Sequence, residues 1–263
     1  MGVMNITPDS FSDGGLLASP EAALAHARQL LADGADWLDV GGESSRPGAD
    51  PVTVDEELRR VMPVLEALRP LDAAVSLDTY HAETARMGIA AGVGMINDIT
   101  ALRGDAAMAE VVAESNCLVA LMHMRGSPKT MQDAPAYDDV VDDICAFFEE
   151  RLAFAEAAGI RRERVWLDPG FGFGKTIAHN LEILRRLDDF TRFGCPVLIG
   201  TSNKSTIGAV LDAPVHERTE GTAATVAVAI MNGAHCVRVH DVKTMAKVAR
   251  MTDAIRYGSE SNG

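Results

Sequence analysis

Positive charge is scarce in this 263-residue chain: lysine and arginine number 24 against 38 aspartates and glutamates, for a formal net charge of −14 at pH 7. No basic run offsets the balance, and such a surface repels nucleic acid and anionic lipid, so neither is expected as a partner. An anionic substrate must then meet a local cluster of cations or a metal. Cysteine is scarce too. The four, Cys117, Cys145, Cys195 and Cys236, lie far apart without a C-x-x-C pair, which points to small core residues rather than disulfides or zinc ligands. No apolar run approaches the roughly 20 residues of a spanning helix. The first ten residues, MGVMNITPDS, have no basic start followed by an apolar stretch, so no secretory signal is expected. No Ser/Gly linker, internal repeat or low-complexity tract divides the chain. With 47% hydrophobic and 24% charged residues, the expectation is a soluble, cytoplasmic, globular protein.

What is present is alternation. Short apolar runs at 2–5, 36–40, 73–78, 94–98, 118–123, 164–168, 196–200 and 236–240 read as strands. Between them lie stretches with helical spacing. One sets Val54, Leu58, Val61, Leu65 and Leu68 on a single face, with Asp55 and Glu56 in its first turn; another aligns Val141, Ile144, Phe148, Leu152 and Ala155. Residues 180–187 and 217–232 read as helices as well. Eight strands, each followed by a helix over this length, predict an α/β fold closed as a single (β/α)8 TIM barrel over residues 1–257, with a frayed tail at 258–263. An open doubly wound sheet is the structural rival, but it offers no clear reversal point for eight strands. The connections after the first two strands, 6–19 and 41–53, are long enough to be functional lids on the C-terminal rim.

The strand ends carry the chemistry. Asn5, Asp78, Asn97, Asp98, His123, Asp168, Ser202, Arg238 and His240 stand at or just past the apolar runs. In a parallel barrel all of these ends open onto one face. Arg238 and His240 are two apart, which puts them on the same side of their strand. Strand ends tolerate polar residues in any protein, but Asp78 and Asp168 close apolar segments, where burial demands a partner. Two carboxylates and an amide suit a neutral heterocycle rich in N–H groups and carbonyls. Lys204, Arg238 and His240 suit an anion, and Asn5 offers a neutral oxygen fit to be a single protein ligand of Mg²⁺. The site is expected to take a heterocycle joined to a phosphate or diphosphate.

In Pro169-Gly-Phe-Gly-Phe-Gly-Lys175-Thr176 the ending resembles a P-loop, yet Pro169 stands where that loop needs glycine, and the spacing misses the dinucleotide fingerprint by one residue. It is expected to be a tight rim loop exposing Phe171 and Phe173. Ser44-Ser45-Arg46-Pro47-Gly48 reads equally as a solvated turn or an anion-gripping loop.

Taken in order, GVMNITPDSFSDGG (2–15), DVGGESSRPGA (39–49), VSLDT (75–79), INDI (96–99), LMHMRGSPKTMQ (121–132), DPGFGFGK (168–175), SNKS (202–205) and RVHD (238–241) resemble the motifs of the dihydropteroate synthases, folate-pathway enzymes targeted by sulfonamides. The resemblance spans nearly the whole chain. It implies condensation of 6-hydroxymethyl-7,8-dihydropterin diphosphate with 4-aminobenzoate, and a homodimer. By the same resemblance, Asp78, Asn97, Asp168 and Lys204 hold the pterin, and Arg238 stacks on the ring and, with His240, faces the diphosphate. Asn5 binds Mg²⁺. Ser45, Arg46 and Pro47 close over diphosphate and aminobenzoate, Phe11 and Phe173 line the aminobenzoate pocket, and Ser205 meets its carboxylate at a helix N-terminus. Arg238, His240 and Lys204 are the residues implied to act on the reacting atoms.

The chain departs from the family pattern at Ser45, where threonine is usual, at Asn203, where arginine is common, and at Tyr80-His81, where small residues or lysine are common. Alternatives are a pterin-dependent methyltransferase and a non-catalytic pterin-binding homologue. The diphosphate-suited loops disfavour the first, and the presence of Asn5, Lys204 and Arg238 disfavours the second.

Overall fold

The computed structural model describes residues 1–6, 19–44, 49–126, 129–132 and 134–258. In chain order its elements are β1 (Gly2–Asn5), α1 (Pro20–Ala32), β2 (Trp37–Gly41), α2 (Val54–Leu68), β3 (Ala74–Asp78), α3 (Ala82–Ala90), β4 (Met95–Asp98), α4 (Met108–Ala113), β5 (Leu118–Met122), α5 (Val140–Ala157), β6 (Val165–Asp168), α6 (Ile177–Arg185), β7 (Leu198–Ile199), α7 (Ser205–Leu211), α8 (Thr219–Met231), β8 (Cys236–Val237) and α9 (Val242–Tyr257). Helix starts are encoded locally. The Thr53 hydroxyl accepts from the Glu56 N–H ahead of α2, the Asp139 carboxylate accepts from Val141 and Asp142 ahead of α5, and Thr176 with His179 forms a capping box at α6. Each satisfies N–H groups that a helix start leaves without intrahelical partners.

Strands β1 to β6 pair in sequential order, all parallel, and β7 pairs with β8. Backbone hydrogen bonds join the two pieces. Leu167 N–H donates to Pro196 O at 2.9 Å, Val3 N–H to Val239 O at 3.1 Å, and Val239 N–H to Met1 O at 3.0 Å. Both edges of the long sheet are therefore taken, which closes the (β/α)8 TIM barrel and removes the open-sheet alternative. The last two strands are shorter than the expected 196–200 and 236–240. Val197 N–H turns to the His235 ring at 3.1 Å, and Val197 O accepts from both His235 and Cys236, which breaks the ladder spacing. Arg238 and His240 consequently stand beyond β8.

Outward faces of the strands, including Leu38, Val40, Leu77, Val119, Leu121 and Leu167, pack against the helices in one large core. The expected α5 stripe from Val141 to Ala155 is buried within it. On α2 the buried stripe is turned: Val54 and Leu58 are only half-buried, and Glu57 faces inward with Val61, Val64, Leu65 and Leu68. Inside the barrel a separate cluster joins Met1, Met95, Ala120 and Leu198 to Trp37, Leu118, Trp166 and Cys236, with the two indoles edge to face at 6.3 Å. Side chains alternate along a strand, so two residues further on the same interior side come Asp39, Asn97, Met122, Asp168 and Arg238. The apolar plug thus fixes which residues reach the C-terminal mouth. The four cysteines are free thiols, three of them buried. Of the expected frayed tail only Gly258 is described, and among the described residues no helix is long and apolar enough to cross a membrane.

Candidate active site

The centre of the mouth is an ion cluster. Arg238 Nε donates to Asp39 Oδ2 at 2.6 Å and its Nη2 donates to Asp78 Oδ2 at 3.0 Å, while Asn97 Nδ2 reaches Asp39 Oδ2 at 3.4 Å. Asp39 is fully buried, and its second oxygen accepts no hydrogen bond among the described residues. Register explains the convergence. Asn97 lies across from Asp78, and Asp39 lies across from Ser76, two residues below Asp78 on the same strand face. Burial pushes the Asp78 carboxyl upward; Arg238 opposes that rise, while Asp39, Glu57 and Asp98 add to it. Two of the Arg238 N–H donors are thus engaged by the protein itself, leaving Nη1 and the planar face for a ligand.

Asp168 ends β6 with one oxygen accepting from Gly170 N–H at 2.7 Å. Burial raises its carboxyl to about 6, against the pull of the Gly170 N–H and of Lys204, Lys175 and Arg238. It is 6% exposed, and its remaining lone pairs are the acceptors it offers a ligand.

Three strand-end residues prove to be engaged within the protein. Asp98 accepts from Thr100 N–H and Oγ1 and from Leu102 N–H, each at 2.7 Å, which stabilises a loop where Ala101 and Leu102 hold left-handed φ of 54° and 63°. The His123 ring accepts from Lys175, and Ser202 Oγ meets the His240 ring at 3.0 Å.

The expectation that Phe171 and Phe173 are exposed is overturned: they are 1% and 8% exposed. Gly170, Gly172 and Gly174 adopt φ of 67°, 84° and 65°, a region that disfavours side chains. This folds the loop down onto the segment after β5, so closely that a Cβ at Gly170 would lie 1.9 Å from His123 O. Phe173 joins Ile99, Met122, Met124 and Met131 in a small apolar wall beside the ion cluster.

Lys204 Nζ lies 4.1 Å from the centroid of the Phe173 ring, a cation–π contact. Ser205 is the exposed first residue of α7, and His240 is exposed on the rim. Asn5, half-buried, ends β1 across from Gly41. Asn203 holds a left-handed φ of 58°, a region asparagine tolerates. Phe11, Ser45, Arg46 and Pro47 lie outside the described residues.

A family model described as "Pterin binding enzyme" matches residues 1–240. Dihydropteroate synthase of Escherichia coli strain K12 is 47% identical over 262 residues, which is 99% of this chain and 93% of that protein. The chain belongs to the dihydropteroate synthases. A solved dihydropteroate synthase of Yersinia pestis in a sulfonamide drug complex superposes with a TM-score of 0.93 at 45% identity, over 97% of this chain and 93% of that one. The Xanthomonas albilineans dihydropteroate synthase with 4-aminobenzoic acid gives 0.91 at 45% identity, over 98% and 92%.

As a dihydropteroate synthase, this chain also places residues that its sequence did not single out. Asp39 is one; its signal was a carboxylate inside the apolar run of β2. Glu57 is another, accepting from Thr79 Oγ1 at 3.0 Å, Thr84 Oγ1 at 2.7 Å and the His81 ring at 2.8 Å. The Glu57 hydrogen bond raises the His81 imidazole. Tyr80 donates to Glu43 Oε1 at 2.8 Å, and Glu43 Oε2 accepts from Val52 N–H at 3.3 Å. Of the residues that depart from the family pattern, Tyr80 therefore braces the stem of the second loop and His81 is held against α2 through Glu57.

The Asp168 shift predicts a stability change with a definite sign. A carboxyl raised from its ordinary 3.8 to about 6 binds its proton more tightly when folded, so its contribution is full below 3.8 and lost as pH rises through 6. That interval amounts to roughly 3 kcal/mol. Asp168→Asn keeps an oxygen for the Gly170 N–H and removes the buried charge. Urea unfolding should show it more stable than the unaltered chain, with a gain larger at about pH 8 than at about pH 5. An equal effect at both would exclude burial of the charge as the cause.

Proposed function

We propose that this protein joins 6-hydroxymethyl-7,8-dihydropterin diphosphate to 4-aminobenzoate, forming 7,8-dihydropteroate and releasing diphosphate. The observation that carries the reading is the meeting of Asp78, Asn97, Asp168 and Arg238 at one mouth of the barrel, with Lys204 over Phe173 beside them. Asp168 turns its open oxygen to the N–H donors of the pterin's guanidine-like edge, a charge-assisted bond. Asp78 and Asn97 take the remaining polar edge, and the plane of Arg238, fixed by Asp39 and Asp78, stacks on the ring.

The bond that breaks joins the pterin methylene to a diphosphate oxygen, and diphosphate leaves with the electron pair. Lys204, His240 and the free edge of Arg238 lower the charge of the leaving group; each 1.36 kcal/mol so gained is about tenfold in rate. The methylene cation is delocalised into the electron-rich dihydropterin. The aminobenzoate nitrogen then supplies the pair for the new C–N bond, and the resulting arylammonium is acidic enough to give its proton to water. No strong general base is needed. Phe173 and Ser205 receive the aminobenzoate ring and carboxylate, and Phe11, Ser45, Arg46 and Pro47 complete that side in this reading. Diphosphate helps build the aminobenzoate site, so pterin diphosphate binds first.

Mg²⁺ fits the donor set. Among the described residues no hydrogen bond engages the Asn5 side-chain amide, and no group of three or more His, Cys, Asp or Glu offers a competing cage. Asn5 would be the single protein oxygen on a hydrated ion, which would add positive charge against diphosphate. A cytoplasmic setting is consistent with the free thiols.

A homodimer is part of the proposal. Among the described residues, eight of the eleven exposed large hydrophobic ones fall between Val210 and Tyr257, so one flank carries most of the apolar exposure. On it, Val210 and Leu211 of α7, Val228 and Met231 of α8, and Met251 and Ile255 of α9 are all exposed. A patch this concentrated fits a second copy of the chain.

Three outcomes test the reading. Product should form from pterin diphosphate and 4-aminobenzoate with Mg²⁺ and should fall sharply on chelation; absence of product with both substrates would overturn the activity. Asn203→Arg restores a cation near the aminobenzoate carboxylate and should lower the Michaelis constant for aminobenzoate alone, which steady-state kinetics would read. Sedimentation should give a mass twice the chain's 28.0 kDa, and Val228→Glu with Ile255→Glu should return a folded monomer. A dimer unaffected by that pair would place the interface elsewhere.

A further inference from the structure

A buried lysine just past the glycine loop has no part in the chemistry above. Lys175 is 3% exposed. Its Nζ lies 2.9 Å from each of three acceptors, the His123 ring Nδ1, Gly170 O and Phe173 O, and 3.3 Å from His123 O. Three close acceptors match the three N–H bonds of an ammonium. Burial pushes the amine down to about 7, with Asp168 opposing, but a neutral amine has only two N–H bonds for these three acceptors, and the geometry assigns the charged form. Burial, followed by Lys175, Arg103 and Arg125, holds the His123 imidazole down at about 2. The ring is therefore neutral, and its Nδ1 can accept only as the Nε2–H tautomer.

The loop that Lys175 gathers is bonded carbonyl by carbonyl. Gln132 Nε2 donates to Gly172 O and Tyr137 Oη to Gly174 O, both at 2.8 Å, while Gly172 N–H donates to Asn180 Oδ1 at 2.8 Å. A Cβ at Gly174 would lie 2.6 Å from Arg125 O. Among the described residues the Phe173 carbonyl accepts only from Lys175, while the Gly170 carbonyl also accepts from the Phe173 N–H at 3.0 Å. Phe173 in turn carries the ring beneath the Lys204 ammonium.

We propose that Lys175 is a positioning residue for the aminobenzoate side of the site, holding Phe173, and through it Lys204, at working height from beneath the loop. Lys175 acts only through other residues, because its Nζ is enclosed by the loop carbonyls and the His123 ring. The inference rests on the functional reading above, since it is that reading which assigns Phe173 to aminobenzoate.

The test compares Lys175→Met, which keeps a side chain of similar length without donors, with two changes at His123. His123→Asn retains an acceptor near the place of Nδ1, and His123→Leu does not. Steady-state kinetics in both substrates, thermal melting and equilibrium titration of 4-aminobenzoate in the presence of diphosphate and Mg²⁺ are measured for each. Lys175→Met and His123→Leu should raise the aminobenzoate Michaelis constant by about tenfold or more, with kcat at saturation changed by less than about threefold. His123→Asn should stay within about threefold of the unaltered chain. A merely structural lysine would instead lower melting temperature without this split, and equal behaviour of the two His123 variants would overturn the proposal. Should Lys175→Met fail to fold, the His123 pair decides alone. If the unaltered chain makes no product, the functional reading fails, and the titration still judges Lys175; no aminobenzoate binding by the unaltered chain overturns both.

Discussion

The guanidinium of Arg238, held inside a barrel between Asp39 and Asp78, is the interaction on which the mouth depends. A charge taken from water must be paired and hydrogen-bonded, and removing one partner of such a set leaves another uncompensated. Here the pairing links β2 and β3 to the segment after β8, across the seam where the sheet closes. One interaction therefore fixes the orientation of a carboxylate offered to a ligand, the plane of a cation and the relation between the first and last parts of the chain. Asn97 joins through Asp39, and Asp168 stands on the opposite wall with Lys204 and Lys175 near enough to pull on its carboxyl.

This arrangement resolves the difficulty of an acidic protein that handles anions. The surface carries the negative excess, while the cations that matter are few and gathered at one end of the barrel. Arg238 is largely neutralised by its own carboxylates, so it serves mainly as an oriented plane and a support for Asp78. Lys204 is set on the face of Phe173.

The glycine loop after β6 shows the same economy in backbone terms. Its left-handed glycines let the chain lie directly on the segment following β5, and that contact leaves carbonyls turned toward one another. The Lys175 ammonium and the Gln132 and Tyr137 side chains donate to them, and Asn180 Oδ1 accepts from the Gly172 N–H. The apolar wall of Ile99, Met122, Met124, Met131 and Phe173 is consequently set beside a polar floor with little freedom to shift.

Strand positions, the barrel and most residues that meet at its C-terminal mouth were legible in the sequence, because strand alternation and helical spacing are local properties written in residue order. Asp78, Asn97, Asp168 and Arg238 could be singled out because polar groups ending apolar runs need partners. The exposure of Phe171 and Phe173 was misjudged, since glycine content marks a tight turn without telling which neighbouring segment the turn packs against. Asp98 and His123 looked like ligand residues for the same reason as Asp168, and only the packing showed that a loop and a buried lysine had claimed them. Asp39 and Glu57 went unmarked because their partners lie on other elements. Sequence by itself determined which residues reach the mouth, through period and parity. Tertiary structure alone decided which of them remain open to a ligand, because hydrogen-bond partners distant along the chain meet only when the barrel closes.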